Sequence, residues 1–418
     1  MVAGRPNSSP LSGAFVWTLG ALAFTIPLEG IIASYAGSTT RTIPFYIAAL
    51  AALLALPYLP VLARRLSKSG GFPLLILAFC WSSLLYYLKP LWQNQEVIML
   101  AQLVAMGVMF LYVGPDPVWR RRLLWVLWAG WCVLCVLSLL DYTTGRLATW
   151  QYGGGLVRAR ELVGLSTNQH AYVVGAGLIM SFSMLQEGTK LRARLGLIGG
   201  IAVGCLAFMM GVSKGASLAL IPPVILWLLF VPARPLHLAG RGRAGRLGLA
   251  IAAVVCVMAV TTQLELGRRL FGYTAARFQT MTSHSQGALS QRDVLVAEGL
   301  RLAGQDLVGV GQGNSVGLMG GGDVHNYYLR MLIDGGVLGF MLLLIGIFLI
   351  VRRGWRWYRE SGEGAYFLPL VYLVVASFAG RALQYKIGWF FLAMNAAVPH
   401  VLSTRSVARR PGTTGADR

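Results

Sequence analysis

The residues of this chain that are best suited to chemistry lie in a polar segment, residues 261–330, within an otherwise strongly apolar sequence. This segment contains Arg268, Arg269, Arg292, a glycine-rich run and His325. Guanidinium groups bind phosphates through paired hydrogen bonds, and a neutral imidazole can remove a proton from a hydroxyl near neutral pH. The segment therefore predicts a site that binds an anionic substrate and transfers a proton.

His325 lies in the sequence DVHNYYLRMLIDGG, where a glycine-rich loop turns into an apolar span. Asp323 and Asn326 flank it. We interpret His325 as a general base, and the alternative is a polar cap at the membrane interface. The remaining histidines are less favourably placed for this role: His170, His237, His284 and His400.

Residues 290–305, SQRDVLVAEGLRLAGQ, predict an amphipathic helix on the membrane surface. Ser290 and Asp293 have capping-box spacing, which places the predicted helix start at Ser290. Arg292 then falls in the first turn, where backbone donors and the helix dipole favour an anion, whereas Arg301 falls on the opposite, solvated face. The apolar residues that share the face of Arg292 are Leu295, Val296, Leu300, Leu302 and Ala303.

An arginine on an apolar helix face needs an anionic partner. For Arg292 a phosphate-bearing lipid would meet this need. Two alternatives remain open, which are a salt bridge with Asp293 or Glu298 and extension of the side chain to the head groups.

Further cations and a glycine run complete the set of candidate residues. Lys214, in GVSKGASL at the end of the seventh apolar run, is expected to face a cavity or the interface because an ammonium group in lipid is costly. Arg158 and Arg160 precede the sixth run. The run GVGQGNSVGLMGGG lacks the GK[ST] ending of a phosphate-binding loop, so we interpret it as an irregular structural loop.

The composition indicates a polytopic membrane protein, with 56% hydrophobic and 12% charged residues in 418. We predict one all-α membrane domain over residues 1–418 with about twelve spans of roughly 20 residues. The candidate spans are residues 13–35, 43–62, 72–88, 96–113, 123–140, 170–186, 195–212, 216–232, 247–264, 326–351, 365–380 and 387–402.

The basic residues concentrate in alternate short loops, which is the pattern that places those loops and both termini in the cytoplasm. The net charge of +21 is therefore interpreted as a topology signal rather than as nucleic-acid binding. Two longer segments, residues 141–169 and 265–325, fall on the outer face. The tail, residues 403–418, is expected to be disordered. No disulfide or metal site is indicated, because all the cysteines lie in apolar runs.

Four motifs together resemble the O-antigen ligase and polymerase superfamily. They are SKGA at 213–216, where the family usually has SRGA, the helix beginning SQRD, the glycines of GVGQGN, and HNYYLRMLIDGGVLG from 325 to 339. The resemblance covers most of the chain as a twelve-span topology of the GT-C-like membrane glycosyltransferases. Lysine at 214 keeps the charge of the family's arginine but loses its bidentate geometry.

The resemblance implies transfer of a glycan from an undecaprenyl-pyrophosphate carrier at the periplasmic face of the bacterial inner membrane. In the ligase branch the acceptor is the lipid A core oligosaccharide. His325 matches the family's base, and Arg292 and Lys214 match its pyrophosphate-binding cations, with Arg158, Arg160, Arg268 and Arg269 as further candidates. The expected reaction is an inverting displacement without metal or cofactor.

The sequence also fits other functions. A polymerase of the same superfamily would extend a second carrier-linked glycan, and a protein O-oligosaccharyltransferase would modify a protein hydroxyl. The single long outer segment before the tenth span, without a large soluble domain, favours the ligase. A lipid-linked oligosaccharide flippase is less favoured, because transporters place ionisable residues near the middle of the membrane and show repeated halves.

Overall fold

The computed structural model describes residues 13–36, 43–90, 95–143, 149–152, 156–159, 161–162, 165–186, 190–211, 213–230 and 285–398. The predicted ninth span, Arg160, Arg268, Arg269 and the tail at 403–418 lie outside these residues. The helices are α1 Gly13–Thr25, α2 Glu29–Ala36, α3 Ile43–Ala55, α4 Leu59–Ser67, α5 Phe72–Leu88, α6 Gln95–Val113, α7 Pro117–Thr143, α8 Thr167–Gln186, α9 Leu191–Gly211, α10 Lys214–Ala219, α11 Ile221–Phe230, α12 Ser285–Gln305, α13 Asn314–Leu318, α14 Tyr327–Ser361, α15 Gly364–Ala376 and α16 Lys386–Ala397.

Strands are confined, within the described residues, to two short antiparallel hairpins between α7 and α8. Strand β1, Thr149–Tyr152, pairs with β2, Leu156–Ala159, and β3, Glu161–Leu162, pairs with β4, Leu165–Ser166. The hairpins lead directly into α8. The predicted helical fold class is thus confirmed in its main feature, with this small addition.

Five of the described helical segments are long and apolar enough to cross a membrane, and the protein is accordingly a multi-pass helical membrane protein. They are Pro44–Ser67, Gln95–Val113, Pro117–Asp141, Leu191–Gly211 and Tyr327–Ser361. Shorter apolar helices occupy Gly13–Thr25, Phe72–Leu88, Gly215–Phe230 and Gly364–Ala376.

The first two candidate spans are interrupted in the structure. The helix from Gly13 stops at Thr25 and restarts at Glu29, and a 3₁₀ turn at Leu56–Tyr58 separates α3 from α4. Pro27 and Pro57 lie at these breaks. Proline has no backbone N–H and its ring clashes with the preceding turn, so each residue ends a regular helix.

Contacts between described loops occur at two opposite ends of the helices. At one end, Arg353 donates to the carbonyl oxygen of Lys68, and Arg120 pairs with Glu363. At the other end, Asn314 donates to the carbonyl oxygen of Lys89 at 2.6 Å. The site described below lies at this second end.

Helix α14 carries the predicted tenth span and breaks sharply at Gly336, which has φ +63° and ψ −168°. A break leaves backbone groups without partners inside the helix. The segment after α12 supplies partners, since Val310 N donates to Ile333 O at 3.0 Å and Gly311 N to Asp334 O at 2.8 Å. Trp81 Nε1 donates to the carbonyl of Gly335 at 3.0 Å.

Replacing Gly336 with alanine is expected to destabilise the protein by roughly 2–4 kcal/mol, because the left-handed φ strains any Cβ and the added atom clashes with the Val308 carbonyl. Gly199→Ala is the matched control, since nothing lies within 4 Å of a Cβ there. Denaturant unfolding in detergent measures both. Equal stability of the two variants would show that the break at Gly336 is not required.

Helix α12 covers the residues of the predicted helix, 290–305, but it starts earlier than predicted. The helix begins at Ser285 rather than Ser290, so Arg292 lies about two turns into it and not in the first turn. The free backbone N–H groups of the first turn therefore do not lie beside Arg292. The side chain of Arg292 lies outside the described residues.

The buried stripe of α12 is also narrower than predicted. Leu302 and Ala303 are buried against Val324 and Ile333, with Val296 partly buried beside them. Leu300, predicted to share this face, is exposed. At about 100° per residue, Leu300 lies at the edge of the stripe formed by Val296, Leu302 and Ala303.

Candidate active site

His325 is the last residue before the cap of α14. Asn326 accepts hydrogen bonds from Tyr328 N at 3.0 Å and Leu329 N at 3.1 Å, which starts the helix at Tyr327. Among the described residues other than glycine, His325 alone has a positive φ, +48°. Such a conformation in a non-glycine residue is rare and strained. The imidazole lies just before the N-terminus of α14, and 48% of the His325 side chain is exposed.

Asp323 is the direct partner of His325, with Oδ2 3.3 Å from Nδ1. Burial would raise the pKa of this carboxyl, but hydrogen bonding to His325 and the positive charges of Arg381 and Arg330 outweigh it and lower the pKa to about 2. Asp323 is therefore a carboxylate at physiological pH. A carboxylate can only accept, so it selects the His325 tautomer that carries hydrogen on Nδ1 and leaves Nε2 to accept a proton.

Arg381 bridges Asp323 to the start of α6. Its Nε lies 3.0 Å from Asp323 Oδ2, and its Nη1 lies 3.4 Å from Glu96 Oε1. Gln384 donates from Nε2 to Glu96 Oε2 at 2.8 Å. The turn between α15 and α16, residues 377–385, is thereby tied to α6 and to the residue that holds His325.

Arg330, in the first turn of α14, lies at the centre of this group and is almost fully buried. It approaches three carboxylates: Glu96 at 3.0 Å, Asp334 at 3.4 Å and Asp323 at 3.8 Å. We refer to Glu96, Asp323, His325, Arg330, Asp334 and Arg381 as the ionic cluster. The cluster thus sets three carboxyl groups against two guanidinium groups.

The glycine run encloses a carboxylate of the protein rather than a phosphate. Gly313 N donates to Asp334 Oδ2 at 3.0 Å and Ser315 N to Asp334 Oδ1 at 3.2 Å. Gly311 and Gly313 have positive φ, and a Cβ at Gly311 would clash with the backbone of Tyr86. These contacts support the interpretation of the run as a structural loop, and they explain how a carboxylate is stabilised inside α14.

The SKGA motif meets the turn of residues 377–385. Ser213 caps α10, so Lys214 is its first residue, and Gly215 packs so closely on Ala379 that a Cβ there would clash with it. Tyr172 donates to the carbonyl of Ala379 at 3.0 Å. The backbone of Lys214 is thus brought to the turn that carries Arg381. The Lys214 side chain lies outside the described residues.

The remaining predicted cations are not brought to His325 by the contacts that the structure describes. Arg158 lies in β2, opposite Trp150 in the first hairpin, and its side chain is outside the described residues. The guanidinium of Arg292 is likewise outside them. Arg301 forms an exposed pair with Glu298 and lies on the solvated face, as predicted. Within the described part of the chain, no group of three or more potential ligands is arranged to hold a metal ion.

Sequence reasoning did not select Glu96, Arg330 or Arg381. The spacing of Arg330 and Asp334 could have indicated a buried ion pair, because opposite charges four residues apart in an apolar span have to be buried together. Arg381 gave another signal, because a basic residue in a short loop that is predicted to be outer opposes the charge pattern of the chain. Glu96 gave none, because it resembles an ordinary first-turn acidic residue.

A second buried pair lies at the same end of the helices. Lys386, the first residue of α16, pairs with Glu29, the first residue of α2. The Lys386 side chain is buried, whereas Glu29 is partly exposed. This contact links the break in the first span to the turn of residues 377–385.

No model of a known protein family matches the chain, and no curated protein sequence matches it.

Proposed function

We propose that this protein is a membrane glycosyltransferase, an O-antigen ligase that joins a glycan from undecaprenyl pyrophosphate to a sugar hydroxyl of the lipid A core. The observation that carries the proposal is a half-exposed His325 whose Nδ1 faces the ionised Asp323. This pairing is the arrangement that a general base requires. Its place at the start of a long span suits a substrate held by a lipid.

The proposed reaction is a single displacement. Nε2 of His325 takes the proton of the acceptor hydroxyl while that oxygen bonds to the anomeric carbon. The bond from this carbon to the pyrophosphate oxygen breaks, and undecaprenyl pyrophosphate leaves with the electron pair. The configuration inverts, and the imidazolium that forms is stabilised by the Asp323 carboxylate beside it.

The pyrophosphate needs cations from outside the ionic cluster, since Arg330 and Arg381 are already balanced by carboxylates. We assign this task to Lys214, whose helix starts beside the turn of residues 377–385, and to Arg292. Further candidates are Arg158, Arg160, Arg268 and Arg269. With these cations the proposed reaction uses neither metal nor cofactor.

The position of the ionic cluster favours surface chemistry over transport. Glu96 is the second residue of α6, Arg330 is in the first turn of α14, and Arg381 lies between two helices. All three are at one end of the bundle, whereas a transporter binds its substrate near the middle of the membrane. The proposal places this end on the periplasmic side of the inner membrane and both termini in the cytoplasm.

Reconstitution tests the proposed function. Purified protein in liposomes is given an undecaprenyl-pyrophosphate glycan and a lipid A core acceptor, with a chelator present. We expect the glycan on the core with inverted anomeric configuration, measured by mass spectrometry and NMR. Elongation of the carrier-linked glycan instead would identify a polymerase, and transfer only to a protein hydroxyl would identify a protein O-oligosaccharyltransferase. Activity abolished by the chelator would contradict the metal-independent mechanism.

A further inference from the structure

Asp323 can orient His325 only if its own carboxylate is fixed. The nearest positive group is Arg381, whose Nε lies 3.0 Å from Oδ2, whereas Arg330 Nη1 lies 3.8 Å from Oδ1. Asp323 and His325 stand in a turn with no regular secondary structure. The position of the carboxylate therefore depends on charged side chains from other elements, and Arg381 is the closest of them.

Arg381 is in turn well anchored. Its second partner is Glu96 of α6 at 3.4 Å, and Gly380, the residue before it, is buried. A Cβ at Gly380 would clash with the Tyr172 hydroxyl, and Gly380 O accepts from Tyr327 N at 3.0 Å. The backbone that carries Arg381 is thereby tied to both α8 and the start of α14. Arg381 thus connects this turn to Asp323, the partner of His325.

The charges around Arg381 argue against one alternative role, direct binding of the pyrophosphate. Two carboxylates, Asp323 and Glu96, face its single guanidinium. A pyrophosphate at this point would meet the carboxylates as well as the cation, and repulsion from them would offset the attraction. Arg381 is thus poorly suited to binding the leaving group directly.

We infer that Arg381 is a positioning residue for the proposed base: it holds Asp323 so that Asp323 orients His325, and it ties this pair to the turn against which the Lys214 helix packs. The inference rests on the proposed glycan transfer and assigns one residue its role within it. Arg381 acts through Asp323 and touches no reacting atom.

A double-mutant cycle on reconstituted transfer tests this role. Arg381→Gln is expected to lower kcat about tenfold, with little change in the KM for the donor. A tenfold loss lies in the range of coupling energies found between residues of one ion-pair network. In an Asp323→Asn background the same substitution should have almost no further effect, because its partner is already neutral. Arg381→Lys should recover part of the loss, since it keeps the charge but not the fork.

Arg301→Gln is the matched control, because Arg301 also pairs with a carboxylate but is exposed and lies on α12. It should leave kcat unchanged, and unfolding midpoints of all the variants show whether each is folded. An unchanged kcat in Arg381→Gln, a rise in donor KM alone, or losses that multiply in the double variant would each overturn the inference. Wild-type protein that transfers no glycan would overturn the proposed function as well, which separates the two failures.

Discussion

Replacing His325 with asparagine is expected to lower kcat for glycan transfer by about 100- to 10,000-fold, the usual contribution of a general base. The KM for the lipid-linked donor should change little, because the proposed pyrophosphate-binding cations are other residues. Asparagine is the informative substitution, since it tolerates the left-handed backbone that His325 adopts, with φ +48°. The loss would therefore report the missing imidazole rather than released or added backbone strain.

The measurement is steady-state transfer by reconstituted protein, with the unfolding midpoint as the test of folding. Asp323→Asn provides the graded comparison. It leaves the imidazole in place but removes the charge that selects its tautomer, so a smaller loss than in His325→Asn is expected. Transfer at the wild-type rate by folded His325→Asn protein would exclude His325 as the base, and the proposed mechanism would fail with it.

Replacing Arg330 with methionine is expected to destabilise the protein by about 3–5 kcal/mol, the usual result of removing one partner of a buried ion pair. Methionine fills similar space, so the loss would reflect charge rather than a cavity. The variant would leave Glu96, Asp323 and Asp334 close together with only Arg381 to balance them. Denaturant unfolding in detergent, followed by tryptophan fluorescence, measures the change.

A second substitution distinguishes unpaired charge from lost packing. Adding Glu96→Gln to Arg330→Met removes one of the carboxylates left without its partner, so the double variant should be more stable than Arg330→Met alone. Arg301→Met removes an exposed arginine and should have no measurable effect. A folded Arg330→Met protein as stable as the wild type would show that the ionic cluster does not hold α6 and α14 together.

The membrane helices are the part of the structure that the sequence predicted best. Every candidate span within the described residues contains helix, because a long apolar run is a local signal that does not depend on distant residues. The helix predicted near 290–305 is present, and the predicted loop at 309–322 is irregular except for the short helix α13, Asn314–Leu318. Both predictions rest on local patterns, glycine content and amphipathic spacing. The start of that helix was wrong, because capping-box spacing at Ser290 did not stop a helix that begins at Ser285.

The grouping of side chains into a site was decided by the tertiary structure. Arg381 and Glu96 are 285 residues apart in the chain and 3.4 Å apart in space. No local pattern can show that pairing, because it depends on how α6, α14 and the turn before α16 pack against each other.

The sequence by itself determined a multi-pass helical protein with His325 at the threshold of a span, because hydropathy and loop composition act over a few neighbouring residues. It also identified Lys214 and Arg292 as candidate cations for binding an anionic substrate. Only the tertiary structure decided that Asp323 faces His325, that Arg381 and Arg330 hold Asp323, and that the glycine run encloses Asp334. The physical reason is that buried charges must find partners, and in a folded chain the nearest partner is set by packing rather than by sequence distance.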